Sequence, residues 1–162
     1  MHSLSKLDPA YDLNDADWGG PGVYAGDAPE LVEDLYLSGH PDMAENVLSR
    51  ILWWGKHFPY YPQAIIADDI DYRRNGRANI IAGITSTQSI LFGLLGLEYT
   101  ARGEVLIKPN KTDLFTEFEL KGLKIKDKKV DIYMNNNSVL VKSNEAKVQK
   151  TVIGESMYLH KN

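Results

Sequence analysis

The spacing of apolar and polar residues divides the chain near residue 100, where the period changes from about 3.6 to about 2. Residues 1–26, rich in Asp, Gly and Pro, show neither period. With Gly19-Gly20-Pro21-Gly22 as the strongest breaker, they read as a long ordered loop. Asp27-Ala-Pro-Glu30 then offers an N-cap, an early proline and an acid three residues after the cap, the spacing of a capping box. A helix is expected from there, with Leu31, Val32, Leu35 and Tyr36 as its apolar stripe and Gly39 as its stop. His40-Pro41 restarts the chain at once, and Met43, Val47, Ile51 and Trp54 recur at helical spacing to about residue 56. So short a turn makes the two helices an antiparallel hairpin.

Residues 57–80 form a second long loop, polar and aromatic together. A third helix is expected over roughly Gly83 to Leu97, with Ile84, Leu91 and Leu95 on one side and Gly83, Thr87 and Gly93 permitting close packing. It is apolar nearly all round and is expected to be buried. After Gly103, Val105/Ile107, Phe118/Leu120, Leu123/Ile125, Val130/Ile132/Met134 and Val139/Val141 alternate with polar residues. Asp127-Lys128 and Asn135 to Asn137 supply hairpin turns, and Val148 to Leu159 has room for two more strands. The expected class is α+β, a helical part over residues 1–100 and an antiparallel β domain over 101–162.

Composition narrows the chemistry. The 162 residues carry 18 basic and 22 acidic side chains, a net −4, and 43% are hydrophobic, enough for a sizeable core. The charge is uneven: 6 basic and 14 acidic residues lie in 1–100, 12 and 8 in 101–162. That balance argues against a general nucleic-acid binder. The lysines at 121, 124, 126, 128 and 129 read as a solvated sheet face or protected edges rather than a binding patch. Without cysteine there is no disulfide, thiolate metal site or cysteine nucleophile. Residues 1–20, with Asp8, Asp12, Asp15 and Asp17, resemble neither a signal peptide nor an anchor, and the apolar run near Ile90 to Leu97 is too short to span a bilayer. No phosphate loop, paired-histidine zinc motif or nucleophile elbow occurs, and no membrane partner, resident metal or cofactor is expected.

The tight turn at Gly39 puts the start of the first helix and the end of the second at one end of the hairpin, so the two long loops and the start of the third helix gather there. Trp53, Trp54, His57, Phe58, Tyr60 and Tyr61 crowd nine positions, and Trp18 and Tyr24 come from the other loop. Aromatic rings stack on the C–H faces of sugars, while carboxylates and arginine bind hydroxyls, so this content suits a carbohydrate. Trp54 continues the helical stripe and reads as core instead. Asp68-Asp69-Ile-Asp-Tyr-Arg73-Arg74 is the densest charged run of the helical half. It fits a proton-transfer carboxylate, a set of hydroxyl ligands, a hard-cation site or a structural ion-pair cluster. The candidate sugar contacts are Trp18, Tyr24, Asp27, His57, Tyr60, Tyr61, Asp68 and Arg73, with Asp69 the preferred catalytic carboxylate. Capping already accounts for Asp27.

The run from Gly26-Asp-Ala-Pro-Glu30 through Ile51-Leu-Trp-Trp-Gly-Lys-His-Phe-Pro-Tyr-Tyr61 to Ser89-Ile-Leu-Phe-Gly-Leu-Leu-Gly-Leu-Glu98 resembles the C-terminal end of six-hairpin glycosidases. These (α/α)6-barrel enzymes include the rhamnosidase-like and family 65-like glycoside hydrolases. Leu106-Ile-Lys-Pro109 and Leu120-Lys-Gly-Leu-Lys-Ile-Lys-Asp-Lys-Lys-Val-Asp-Ile132 are similar to the strand and small β domain that follow the barrel there. The similarity covers about residues 20–142. It implies the last part of an (α/α) toroid followed by an antiparallel β-sheet or sandwich, with the sugar site on the loops of one rim. A six-hairpin barrel has twelve helices and three are legible here, and relatives place the general acid upstream. The resemblance therefore implies cleavage of a glycosidic bond only together with the rest of the barrel. A non-catalytic carbohydrate-binding or interaction module is the alternative. The apolar stripe of Leu91, Leu94 and Leu95 with Met43, Val47 and Ile51 calls for cover, from the remainder of a barrel or by self-association.

Overall fold

Helix stops and strand pairings organise the chain into α+β structure. The computed structural model describes residues 5–15, 19–66, 77–126, 128–143 and 148–160. Trp18, Asp68, Asp69 and Arg73, and the turn residue Asp127, lie outside them. The element order begins with strand β1 (Gly22–Tyr24), helix α1 (Ala28–Leu37), helix α2 (Pro41–His57), strand β2 (Ala64–Ile66) and helix α3 (Ile80–Gln88). A π-helical turn over Ser89–Leu94 follows. Then come strands β3 (Leu97–Tyr99), β4 (Val105–Ile107), β5 (Glu117–Ile125), β6 (Lys128–Asn135), β7 (Ser138–Ser143), β8 (Val148–Val152) and β9 (Met157–His160). Two compact units result, Met1–Val32 with Asn46–Ser89, and Glu33–Glu45 with Ile90–Asn162. No described helix is long and apolar enough to cross a membrane.

In the first unit, β1 and β2 pair antiparallel, with Val23 opposite Ile65 and Tyr24 opposite Ala64. Both strands fall in stretches expected to be loop, because three residues are too few to display a period. The core of this unit includes Val32, Leu48, Ile51, Phe58, Ala64 and Ile65. The expected capping box does not form: the Asp27 carboxylate makes no hydrogen bond among the described residues, although its carbonyl accepts the N–H of Leu31 at 3.1 Å. The buried faces are also rotated from those expected. Leu31 is exposed beside buried Val32, and along α2 the buried side chains are Ala44, Leu48 and Ile51, whereas Met43 is exposed and Val47 and Trp54 are half-buried.

The third helix differs most from expectation. It starts at Ile80, three residues early, because Asn79 caps it: the Ala82 N–H donates to Asn79 Oδ1 at 2.9 Å. Its Ile80, Ile81 and Ile84 are exposed, at 76%, 71% and 59%, so this part is not the buried helix its composition implied. The exposed apolar face lies there, while Leu94 and Leu95, expected to need cover, are wholly buried. Hydroxyl groups of Thr85, Ser86 and Ser89 donate back to carbonyls three residues earlier, and such back-bonding competes with the α-helical ladder. The ladder then widens, with Leu95 N–H donating to Ile90 carbonyl at 2.9 Å, five residues back.

In the second unit, α1 ends as the sequence indicates. Gly39 takes φ +80°, its N–H donates to Tyr36 carbonyl, and His40 N–H donates to Leu35 carbonyl at 2.8 Å, the paired bonds of a Schellman stop. Strands β5 to β8 form an antiparallel meander, and β3, β4 and β9 a three-stranded sheet. Alternation holds on β6, where Val130, Ile132 and Met134 are buried and Lys129 and Asp131 are exposed. Leu120 and Leu123, three apart, would face opposite ways in a regular strand. A bulge between them, with Gly122 at φ +68°, restores both to the half-buried face. Lys121, Lys124 and Lys129 are exposed, as a solvated sheet face requires.

Tyr36 carries an unsatisfied group into this unit's core: it is 4% exposed, and its hydroxyl has no hydrogen-bond partner among the described residues. Burial first, and the Glu45 carboxylate second, push its pKa up to about 12. An unpaired buried hydroxyl costs on the order of 1–3 kcal/mol. Tyr36→Phe should therefore keep or raise stability in chemical denaturation near neutral pH. Because the folded-state pKa lies above the ordinary value, the neutral hydroxyl's contribution is intact below about pH 10 and is lost as pH rises through about 12. The wild-type melting temperature should fall more steeply than the variant's across that window. Parallel slopes would refute the assignment.

Candidate functional site

Three separated segments of the first unit meet at the start of α3. Strand β1 pairs with β2, Ala25 N–H donates to Gln63 carbonyl at 2.9 Å, and Gln63 N–H donates to Arg77 carbonyl at 2.9 Å. Pro62 and Ala78 form an isolated bridge, and Asn79 N–H donates to Tyr61 carbonyl at 2.8 Å. Segments 22–25, 61–66 and 77–79 are in this way stitched side by side. The two long loops and the third helix come together as the short turn at Gly39 led one to expect.

Side chains tie the same segments. The Tyr61 hydroxyl donates to Ala25 carbonyl at 3.0 Å, its ring meets Trp54 edge-on at 5.6 Å and 82°, and its Cβ lies 3.6 Å from where a Cβ on Gly83 would sit. Burial, and then the Glu30 carboxylate, drive the Tyr61 pKa well above the tyrosine range. Tyr61 is therefore a neutral donor at any physiological pH, suited to holding a carbonyl rather than to moving protons. Asn79 Nδ2 donates to the Tyr24 hydroxyl at 3.3 Å while its Oδ1 caps α3, so one amide fixes both the helix start and the first loop. The Tyr24 ring folds over Gly26, where a Cβ would come within 2.3 Å of the hydroxyl.

Of the residues singled out by sequence, Tyr24 and Tyr61 lie within this assembly as struts, their hydroxyls already engaged. Tyr60 is half-buried next to it, and Asp27 is exposed two residues beyond Ala25. His57 ends α2 and turns back on its own helix: its ring stacks on Trp53 at 3.9 Å and 26°, and Nδ1 donates to Trp53 carbonyl at 2.7 Å. A carbonyl only accepts, so Nδ1 carries a proton. Both rings are exposed, giving a flat aromatic surface. Asp68, Asp69, Arg73 and Trp18 lie outside the described residues, so their relation to this surface is not part of the described geometry. Asn79 is the residue that sequence reasoning missed. Its signal is in the sequence, since an Asn directly before Ile80-Ile81 is an ordinary N-cap, but the small residues from Gly83 onward draw the expected helix start three residues too late.

No protein-family model matches the sequence, and no curated protein matches it. Among solved structures, one described as "Putative kojibiose phosphorylase from human microbiome" has this fold, with a TM-score of 0.56 at 11% identity. The match covers 82% of this chain and 17% of that one, so this chain spans a small part of its neighbour's length. At that identity the likeness is one of fold.

Proposed function

We propose that the chain is a distant relative of the six-hairpin, family 65-like carbohydrate enzymes, corresponding to the end of their (α/α) toroid and the small β domain behind it. The fold likeness to a protein whose name specifies a disaccharide, spread over 82% of this chain, is the observation that supports this reading most. In it, the loops assembled at the start of α3 contribute to a sugar site, and the exposed Trp53–His57 pair gives a face for a pyranose ring. Asp69 is the proposed carboxylate for hydroxyl contact or proton transfer. Cleavage of a glycosidic bond takes a carboxylic acid on one side and an acceptor, water or phosphate, on the other. The rest of the barrel supplies the missing partner, and it also covers Ile80, Ile81 and Ile84.

The test is made in the longer reading frame that contains these residues. Further helical hairpins should be encoded upstream, and in that enzyme Asp69→Asn should lower kcat on a disaccharide with little change in melting temperature. A complete short gene with its own start and no barrel-coding partner would overturn the enzyme reading.

A further inference from the structure

Beyond that loop assembly, the second unit contains a cleft of its own, about 500 Å³ in volume and within the range of small-molecule sites. Backbone geometry makes it. The π-helical turn widens the helix at Phe92 and Gly93, and a Cβ on Gly93 would fall 2.9 Å from the Tyr36 ring and 3.3 Å from Glu33 Cα. Gly96, at φ +60°, brings the chain against Lys108, whose N–H donates to Gly96 carbonyl at 3.1 Å. Asn110 Nδ2 donates to Gly93 carbonyl at 2.9 Å, which fixes the amide at the wall. Side chains at two of these glycines would force the walls to move, so the cleft depends on residues that contribute no side chain. π-Helical turns of this kind recur at functional sites.

The lining decides the chemistry. The lining includes the aromatic Phe92 and the exposed Tyr99, the carboxylates Glu33 and Glu98, and the exposed ammonium of Lys108. An apolar ligand would strip water from the exposed charges of Glu98 and Lys108 without replacing their hydrogen bonds. An anion would meet two carboxylates, and a simple cation would meet the Lys108 ammonium. A neutral polyol avoids each conflict, because a hydroxyl donates to a carboxylate and accepts from an ammonium with the same atom. A ring that also has a C–H face satisfies the aromatic walls.

We infer that this cleft is a binding site for a neutral mono- or disaccharide, separate from the loop assembly of the first unit. The choice of sugar agrees with the carbohydrate reading above, but the site is carried by its own lining. The test titrates the ¹⁵N-labelled chain with maltose, kojibiose and, as a control, inorganic phosphate. Either disaccharide should shift the amides of Phe92, Tyr99, Lys108 and Asn110, and phosphate should not. Glu98→Gln and Lys108→Met change exposed side chains, leave the fold intact, and should each weaken the sugar about tenfold. Shifts confined to residues 57–66 and 77–79 would overturn the cleft while leaving the carbohydrate reading standing. Shifts nowhere would overturn the cleft and remove support for sugar binding by this chain. Phosphate competing at the cleft amides would overturn the neutral-ligand assignment.

Discussion

Replacing Gly96 with alanine is expected to destabilise the second unit by about 3 kcal/mol or more, one of the largest effects of any single methyl in the molecule. Two costs coincide there. The left-handed conformation at φ +60° penalises an L side chain by about 1–2 kcal/mol. The added Cβ would also fall 2.1 Å from the Lys108 carbonyl oxygen, a backbone atom that cannot swing away. Relief would require parting the chain at the point where Lys108 N–H is bonded to Gly96 carbonyl, beside the β3–β4 pairing. Gly39 is the control. It has φ +80° with nothing within 4 Å of a Cβ, so Gly39→Ala should show the conformational cost alone, about 1 kcal/mol. Denaturant unfolding of the two variants measures the difference, and equal costs would show that the approach to Lys108 carries no penalty of its own. The same variant should abolish sugar-induced shifts at the cleft if the chain still folds.

Where the fold was legible, a local rule sufficed. Gly39 before His40-Pro41 announces a helix stop and an immediate restart, and the Schellman bonds are its realisation. Period-2 alternation located β4, β6 and β7, because one face of each is buried and a slip would expose every apolar residue at once. Where it failed, the rule had more than one solution. On α2, Met43/Val47/Ile51 and Ala44/Leu48/Ile51 are neighbouring stripes that both satisfy a 3.6 period. Packing chose the second, with Ala44 too small to stand out as an anchor. On α3, the apolar count predicted burial that Ile80, Ile81 and Ile84 do not have, since composition reports what a surface wants to meet and not what is there. The π-helical turn was hidden because the apolar pattern of residues 89–94 suits an α-helix equally well, and the serine and threonine back-bonds that precede it have no signature in that pattern. As for the candidate site, the meeting of the two loops followed from chain connectivity. Which hydroxyls hold the loops and which face outward depended on the pairing of Tyr61 with Ala25 and of Tyr24 with Asn79, long-range bonds with no sequence signature.

Tyr61 is where that assembly should break. Its ring meets Trp54 of α2 and its hydroxyl holds the first loop at Ala25, so truncation removes both contacts at once while the backbone bond from the Asn79 N–H stays. Tyr61→Ala is expected to cost about 3 kcal/mol or more, in the range of aromatic truncations. Tyr61→Phe keeps the ring and loses only the hydroxyl. Ala25, 1% exposed, then retains for its carbonyl the longer bond from Ala28 N–H at 3.3 Å, so this variant should lose about 1 kcal/mol. The two variants separate packing from hydrogen bonding, and amide exchange locates the damage. In Tyr61→Phe, protection should fall at Ala25 and Gln63 while the amides of β6 and β7 keep theirs, since those strands pair only within the other unit's sheet. If protection fell equally in β6 and β7, Tyr61 would be supporting the whole chain rather than holding two loops together. If neither variant changed the exchange of Ala25 or Gln63, the hydroxyl would not be the tie between the loops, and the aromatic content of residues 53–61 would need another explanation.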